Sequence, residues 1–80
     1  MDLSDAIRYR INILIKNNHL TLSKLSTLAG ISRSTLSKFM SGQRTYIRID
    51  IIEYICEALN IKIYDFFHDS IFDNINIKDK

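Results

Sequence analysis

The stretch Leu22–Ser41 reads LSKLSTLAGISRSTLSKFMS. Apolar residues fall at Leu22, Leu25, Leu28 and Ala29, stop at Gly30, and resume at Ile31, Leu36, Phe39 and Met40. Steps of three and four on either side of a glycine predict two short helices joined by a tight turn. Thr21 and Ser32 each offer a side-chain oxygen to an orphan backbone N–H at a helix start. Each cap is preceded by an apolar residue and followed four positions later by another, Leu20 with Leu25 and Ile31 with Leu36, which is the spacing of a hydrophobic staple. Gly30 suits the left-handed turn that ends the first of the two helices. Ser26 is small where two crossing helices need close approach.

Working outward, Ile7, Ile11, Leu14 and Ile15 recur at helical spacing and predict a preceding helix over Leu3–Asn17. Asp2, Ser4 and Asp5 put caps and negative charge at its positive end. Arg8 and Lys16 are left for solvent or phosphate. Asn17-Asn18-His19 reads as a turn, its left-handed step given to asparagine. After the central pair, with the second helix taken over Arg33–Ser41, Gly42 marks a stop with positive φ and GQRTYIR forms a loop. Ile49, Ile52, Ile55, Cys56 and Leu59 give the buried stripe of a fourth helix, Ile49–Leu59, with Asn60 as its left-handed end. Ile63, Phe66 and Phe67 close the core from a fifth, Ile63–Asp69. The chain has no proline and two glycines, so the expected fold is all-α, a compact five-helix domain over residues 1–69. The remainder, Ser70–Lys80, keeps Ile71, Phe72, Ile75 and Ile77. Its open fates are disorder, a short helix or strand, a cover for the core, or a bridge between two subunits.

Eighty residues, 46% of them hydrophobic, suffice for one small core. No apolar run approaches the length of a membrane span, and MDLSDAI lacks the basic flank and apolar core of an export signal. Cys56 is the single cysteine and has no partner for an internal disulfide, so the cytoplasm is the expected compartment. With neither a base nor a second cysteine beside it, Cys56 reads as a small buried thiol. Asp65, His68 and Asp69 have metal-like spacing, but three ligands without a fourth do not make a site. His19 has nothing nearby to complete one. No paired nucleophile and base and no phosphate-cradling glycine loop is present, so no enzyme, cofactor or metal is expected.

Charge is divided along the chain. Residues 1–48 carry eight basic and two acidic side chains, a net of +6, and residues 49–80 carry three basic and seven acidic, a net of −4. Between Lys16 and Arg48 there is no acid. A one-signed field over the helix-turn-helix is the electrostatic footprint of a polyanion binder.

The stretch resembles the helix-turn-helix of the lambda-repressor-like, Cro/cI-type (XRE) DNA-binding proteins. That pattern places apolar residues at Leu25, Ala29, Ile31, Leu36 and Phe39, a small residue at Ser26 and glycine at Gly30. The likeness continues through Gly42, Ile49, Ile52, Ile55, Leu59, Ile63, Phe66 and Phe67, over roughly residues 5–68. It implies double-stranded DNA as partner, with Arg33–Ser41 as the recognition helix. Ser32, Arg33, Ser34, Ser37 and Lys38 then face the major groove. Arg33 or Lys38 reads guanine O6 and N7, or either contacts phosphate instead. Thr21 and Ser23 stand at the phosphate-facing start of the second helix, where Leu22 replaces the family's usual glutamine. Ser41, Gln43, Arg44 and Thr45 run along the DNA backbone. The likeness also implies a homodimer on an inverted repeat, regulating transcription and most simply repressing it, with the surface around helix five and the tail as interface. No small-molecule ligand is implied.

One departure is informative. Many family members bury an ion pair between an arginine late in helix one and an acid at the end of helix three. The matching residues here are Ile15 and Met40, a replacement of both partners that is often neutral or stabilising, and their contact is expected. The competing reading keeps the fold but makes it a protein-interaction module, such as an antitoxin or a phage-encoded modulator, acting through its acidic C-terminal half.

Overall fold

Caps set the helix starts. In the computed structural model, which describes residues 1–76, Asp2 Oδ1 accepts from Asp5 N–H at 2.8 Å and Asp5 Oδ2 accepts from Asp2 N–H at 3.3 Å. This reciprocal box opens α1, Leu3–Asn17. Thr21 Oγ1 accepts from Lys24 N–H at 3.1 Å and opens α2, Leu22–Ala29. Ser32 accepts from Thr35 N–H, at a long 3.5 Å, and opens α3, Arg33–Met40. Then come α4, Ile49–Leu59, and α5, Ile63–Phe67, followed by a 3-10 turn over Ser70–Asn74. Among the described residues there is no strand, so the fold is all-α with five α-helices, as expected.

Helix ends follow backbone geometry. Gly30, Gly42 and Asn60 take positive φ of 68°, 85° and 55°. The turn after α1 differs from expectation: the left-handed residue is His19, φ 54°. Asn18 is occupied in closing α1, donating from both its backbone N–H and its Nδ2 to the Leu14 carbonyl, so the reversal falls one residue later, to a residue type that tolerates it. The end of α5 also moves. It stops at Phe67, because Asp69 turns extended and accepts from Ile71 N–H at 2.8 Å to start the 3-10 turn.

The core is built from Ile7, Ile11 and Leu14 of α1, Leu25 of α2, Leu36 and Phe39 of α3, Ile51, Ile52, Ile55 and Cys56 of α4, and Phe66 of α5. Leu25 and Leu36 are buried, and their staple partners Leu20 and Ile31 are partly buried against the same core. Ile15 and Met40 are both partly buried against the same cluster. Three apolar residues leave the expected stripes. Ile49 is 69% exposed and Ile63 is 44% exposed, each at the first position of its helix. Leu28 also faces outward. In α4 the buried set is rotated to include Ile51, which the expected stripe left out.

Residues 70–76 cover one end of this core. Phe72 lies 5.2 Å from Phe67 and 6.4 Å from Phe66, ring centre to ring centre, and Asn76 N–H donates to the Met1 carbonyl at 3.0 Å. Ile77 and the last three residues lie outside the described residues. Burial pushes the Cys56 thiol above its ordinary 9.0, with the Arg10 charge opposing and Asp65 adding. No helix among the described residues is long and apolar enough to cross a membrane.

Candidate nucleic-acid interface

The turn between α2 and α3 is fixed by two backbone bonds, Gly30 N–H to Thr27 O at 3.2 Å and Ile31 N–H to Ser26 O at 3.0 Å. Ser26 is 2% exposed and its hydroxyl donates back to Leu22 O at 2.9 Å. The side chain therefore brings no unmet polar group into the helix crossing. Leu36 and Phe39 anchor the inner side of α3, and this leaves Arg33, Ser34 and Ser37 exposed on the outside, with Lys38 half-buried at its flank.

The loop after α3 is tied to that helix. Gly42 N–H donates to Phe39 O at 3.1 Å and Arg44 N–H to Lys38 O at 3.0 Å. The Ser41 hydroxyl donates to Lys38 O at 3.1 Å and accepts from Gln43 N–H at 3.4 Å. Lys38, Ser41, Gln43 and Arg44 thus form one hydrogen-bonded unit, with Thr45 next in the chain. All but Lys38 are exposed. A groove of about 130 Å³ separates α3 from the loop, lined among others by Thr35, Arg44, Tyr46 and Arg48. Thr21 and Ser23 are exposed at the start of α2, and no hydrogen bond among the described residues links them to α3 or the loop.

The cations of this surface differ in availability. Arg48 pairs with Asp50 at 2.6 Å, and Arg8 with Asp5 at 3.1 Å. Among the described residues no carboxylate pairs with Lys24, Arg33, Lys38 or Arg44. Unpaired cations on an exposed surface are the ones able to exchange counterions for phosphates.

Arg8 corrects the reading of the sequence. It does not face solvent: its side chain is 18% exposed, its Nε donates to Phe39 O at 2.7 Å, and its Nη2 donates to Arg44 O at 2.9 Å. Ser4, taken from sequence only as part of the helix start, donates its hydroxyl to Thr45 O at 2.6 Å. The Asp5–Arg8 spacing of a helical ion pair was visible in the sequence; the carbonyls more than thirty residues away were not. Among the described residues no group of three or more His, Cys, Asp or Glu side chains is placed to hold a metal ion.

Residues 10–70 match the family of Cro/C1-type helix-turn-helix DNA-binding domains. A comparison with curated protein sequences gives no match. Among solved structures, the chain is similar to the crystal structure of the prophage Lp1 protein 11, with a TM-score of 0.80 and 26% identity over 94% of this chain and 100% of that one. The helix order, the glycine turn and the match over more than half of the sequence agree: the chain belongs to the Cro/C1-type helix-turn-helix DNA-binding domains.

Proposed function

We propose that the protein is a sequence-specific regulator of transcription, acting as a repressor, that lays α3 in the major groove of double-stranded DNA. The observation that carries this is the unpaired, exposed outer side of α3, Arg33, Ser34 and Ser37 with Lys38 beside them, in a segment without acids from Lys16 to Arg48. Arg33 and Lys38 carry the guanine-reading or phosphate-binding charge, and Ser32, Ser34 and Ser37 supply short hydroxyls at base edges. Thr21 and Ser23 meet one phosphate strand at the start of α2. Ser41, Gln43, Arg44 and Thr45 follow the other.

One chain carries one such helix, and a lone module makes few base contacts. The reading therefore includes a homodimer that spans two half-sites about 34 Å apart, joined through the surface around α5, where Ile63 and Tyr64 are exposed. The test is selection of bound sequences from a random duplex pool at two salt concentrations, with Arg33→Ala and Lys38→Ala in parallel. An enriched inverted repeat, lost or relaxed in the variants, is the expected result. Uniform binding with no motif would leave a backbone binder only.

The exposed apolar side chains of Ile49, Ile63 and Tyr64, on the acidic half of the chain, favour a second reading, a protein-interaction module of the antitoxin or phage-modulator kind. Salt separates the two. DNA affinity should fall with a logarithmic slope of about −0.9 per phosphate neutralised, and the absence of binding at low salt would favour the protein partner.

A further inference from the structure

We propose that Arg8 is a positioning residue for DNA binding, holding the loop after α3 in its binding shape without touching DNA. The proposal rests on the reading above, in which Ser41–Thr45 follows the sugar–phosphate backbone. Loops of this kind ordinarily lose affinity to the cost of being ordered on binding, and rigidity in the free protein removes that cost.

Here α1 supplies the rigidity. Ser4 and Arg8 are four residues apart and so lie on one side of the helix. They grasp successive carbonyls of the loop, Ser4 Oγ on Thr45 O at 2.6 Å and Arg8 Nη2 on Arg44 O at 2.9 Å. The same guanidinium reaches the end of α3 through Nε, on Phe39 O at 2.7 Å, and lies 4.6 Å from the centre of the Phe39 ring. Its remaining nitrogen, Nη1, is held by Asp5 at 3.1 Å. All three nitrogens are engaged inside the protein, by charge-assisted bonds of the stronger kind. Arg8 must break them to reach a phosphate. Lysine has one nitrogen and no fork, so it cannot hold Phe39 O and Arg44 O in this arrangement.

The experiment compares Arg8→Gln, Arg8→Lys, Ser4→Ala, Arg33→Ala and Arg44→Ala. The probe is a duplex selected from the random pool, or a mixed-sequence duplex at low salt, and amide hydrogen exchange is followed in the free proteins. For Arg8→Gln we expect about a tenfold loss of affinity at every salt concentration with the salt slope unchanged, whereas Arg44→Ala lowers the slope by about 0.9. Exchange at the Arg44 amide, bonded to Lys38 O, should accelerate at least tenfold while that at Ile52–Cys56 holds. Arg8→Lys should lose affinity to an intermediate extent. Ser4→Ala, which leaves the α3 end intact, should weaken binding a few-fold with a smaller acceleration at the Arg44 amide, and it carries the test if Arg8→Gln does not fold.

A slope lowered by Arg8→Gln would make Arg8 a phosphate contact and overturn the proposal. Equal acceleration in α4 would reduce it to a general stabiliser. Unchanged affinity in Arg8→Gln and Ser4→Ala beside a loss in Arg44→Ala would sink the proposal and leave the DNA reading standing. No effect from Arg33→Ala or Arg44→Ala would remove the DNA reading, and the proposal with it.

Discussion

Arg8 and Arg10 stand two residues apart on α1, and each guanidinium closes the end of a different helix. Arg8 Nε donates to Phe39 O at the end of α3, and Arg10 Nε donates to Phe66 O near the end of α5, both at 2.7 Å. Arg10 adds Nη2 to Asp65 O at 2.8 Å and Nη1 to the Asp69 carboxylate at 3.7 Å. α1 therefore holds the ends of α3 and α5 with one pair of side chains. Where many family members tie α1 to the end of α3 through a buried ion pair, this chain has apolar Ile15 and Met40, and Arg8 makes the tie to backbone carbonyls instead.

Arg10→Gln should destabilise the fold. The Arg10 side chain is 13% exposed, so the carbonyls it leaves have poor access to water. A loss of about 2 kcal/mol follows, or roughly 8–16 °C in Tm for a domain of this size. A thermal melt monitored by circular dichroism reads it, and a shift under 2 °C would contradict the assigned role.

Gly30→Ala should cost about 1–2 kcal/mol, the ordinary penalty for an L side chain in left-handed geometry. A Cβ at this position meets no atom within 4 Å, so the whole effect is backbone strain at φ 68°. Gly30→Asn should cost less. Urea unfolding with unchanged m-value is the measurement, and equal losses for Ala and Asn would point to a steric cause.

Cys56 gives a pH dependence with a definite sign. Its thiol is raised by burial, so the folded state holds the proton more tightly than the unfolded state. The stabilisation is complete below the unfolded value near 9.0 and is lost as pH rises through the folded one. The stability difference between the wild-type protein and Cys56→Ala should stay constant from pH 7 to about 8.5 and narrow above the thiol's ordinary value. A difference unchanged to pH 10 would mean that the thiol is not desolvated.

Ile63→Lys and Tyr64→Lys test the proposed dimer. Both side chains are exposed, at 44% and 67%, so each change should move the melting point by less than about 0.5 kcal/mol in stability terms. Sedimentation on a two-half-site duplex should nonetheless shift from two copies towards one. Two copies retained in both variants would place the interface elsewhere.

The helix-turn-helix was legible because everything that defines it is local. Caps at Thr21 and Ser32, the staples, Gly30 and small Ser26 all act within a few residues. α4 was less legible because Ile49, Ile51, Ile52 and Ile55 admit more than one helical phase, and only the neighbouring helices decide which isoleucines turn inward. Arg8 and Arg10 were illegible for a third reason. Their acceptors are backbone carbonyls, which every residue possesses, so no pattern of residue types announces them. The candidate interface was readable in the same proportion: exposure of Arg33, Ser34 and Ser37 follows from the burial of Leu36 and Phe39, but the shape of the loop depends on α1.

The bond from Asn76 N–H to Met1 O and the grip of Arg10 on Phe66, 56 positions along the chain, also bear on synthesis. α1 precedes both of these partners in synthesis, although Phe39, Arg44 and Thr45 reach it earlier. During elongation α1 can join α3 and its loop, but its second anchor waits for Asp65, Phe66 and the 3-10 turn. A nascent chain halted at Asn60 should accordingly show faster protease cleavage within α1 than one extended past Asn76.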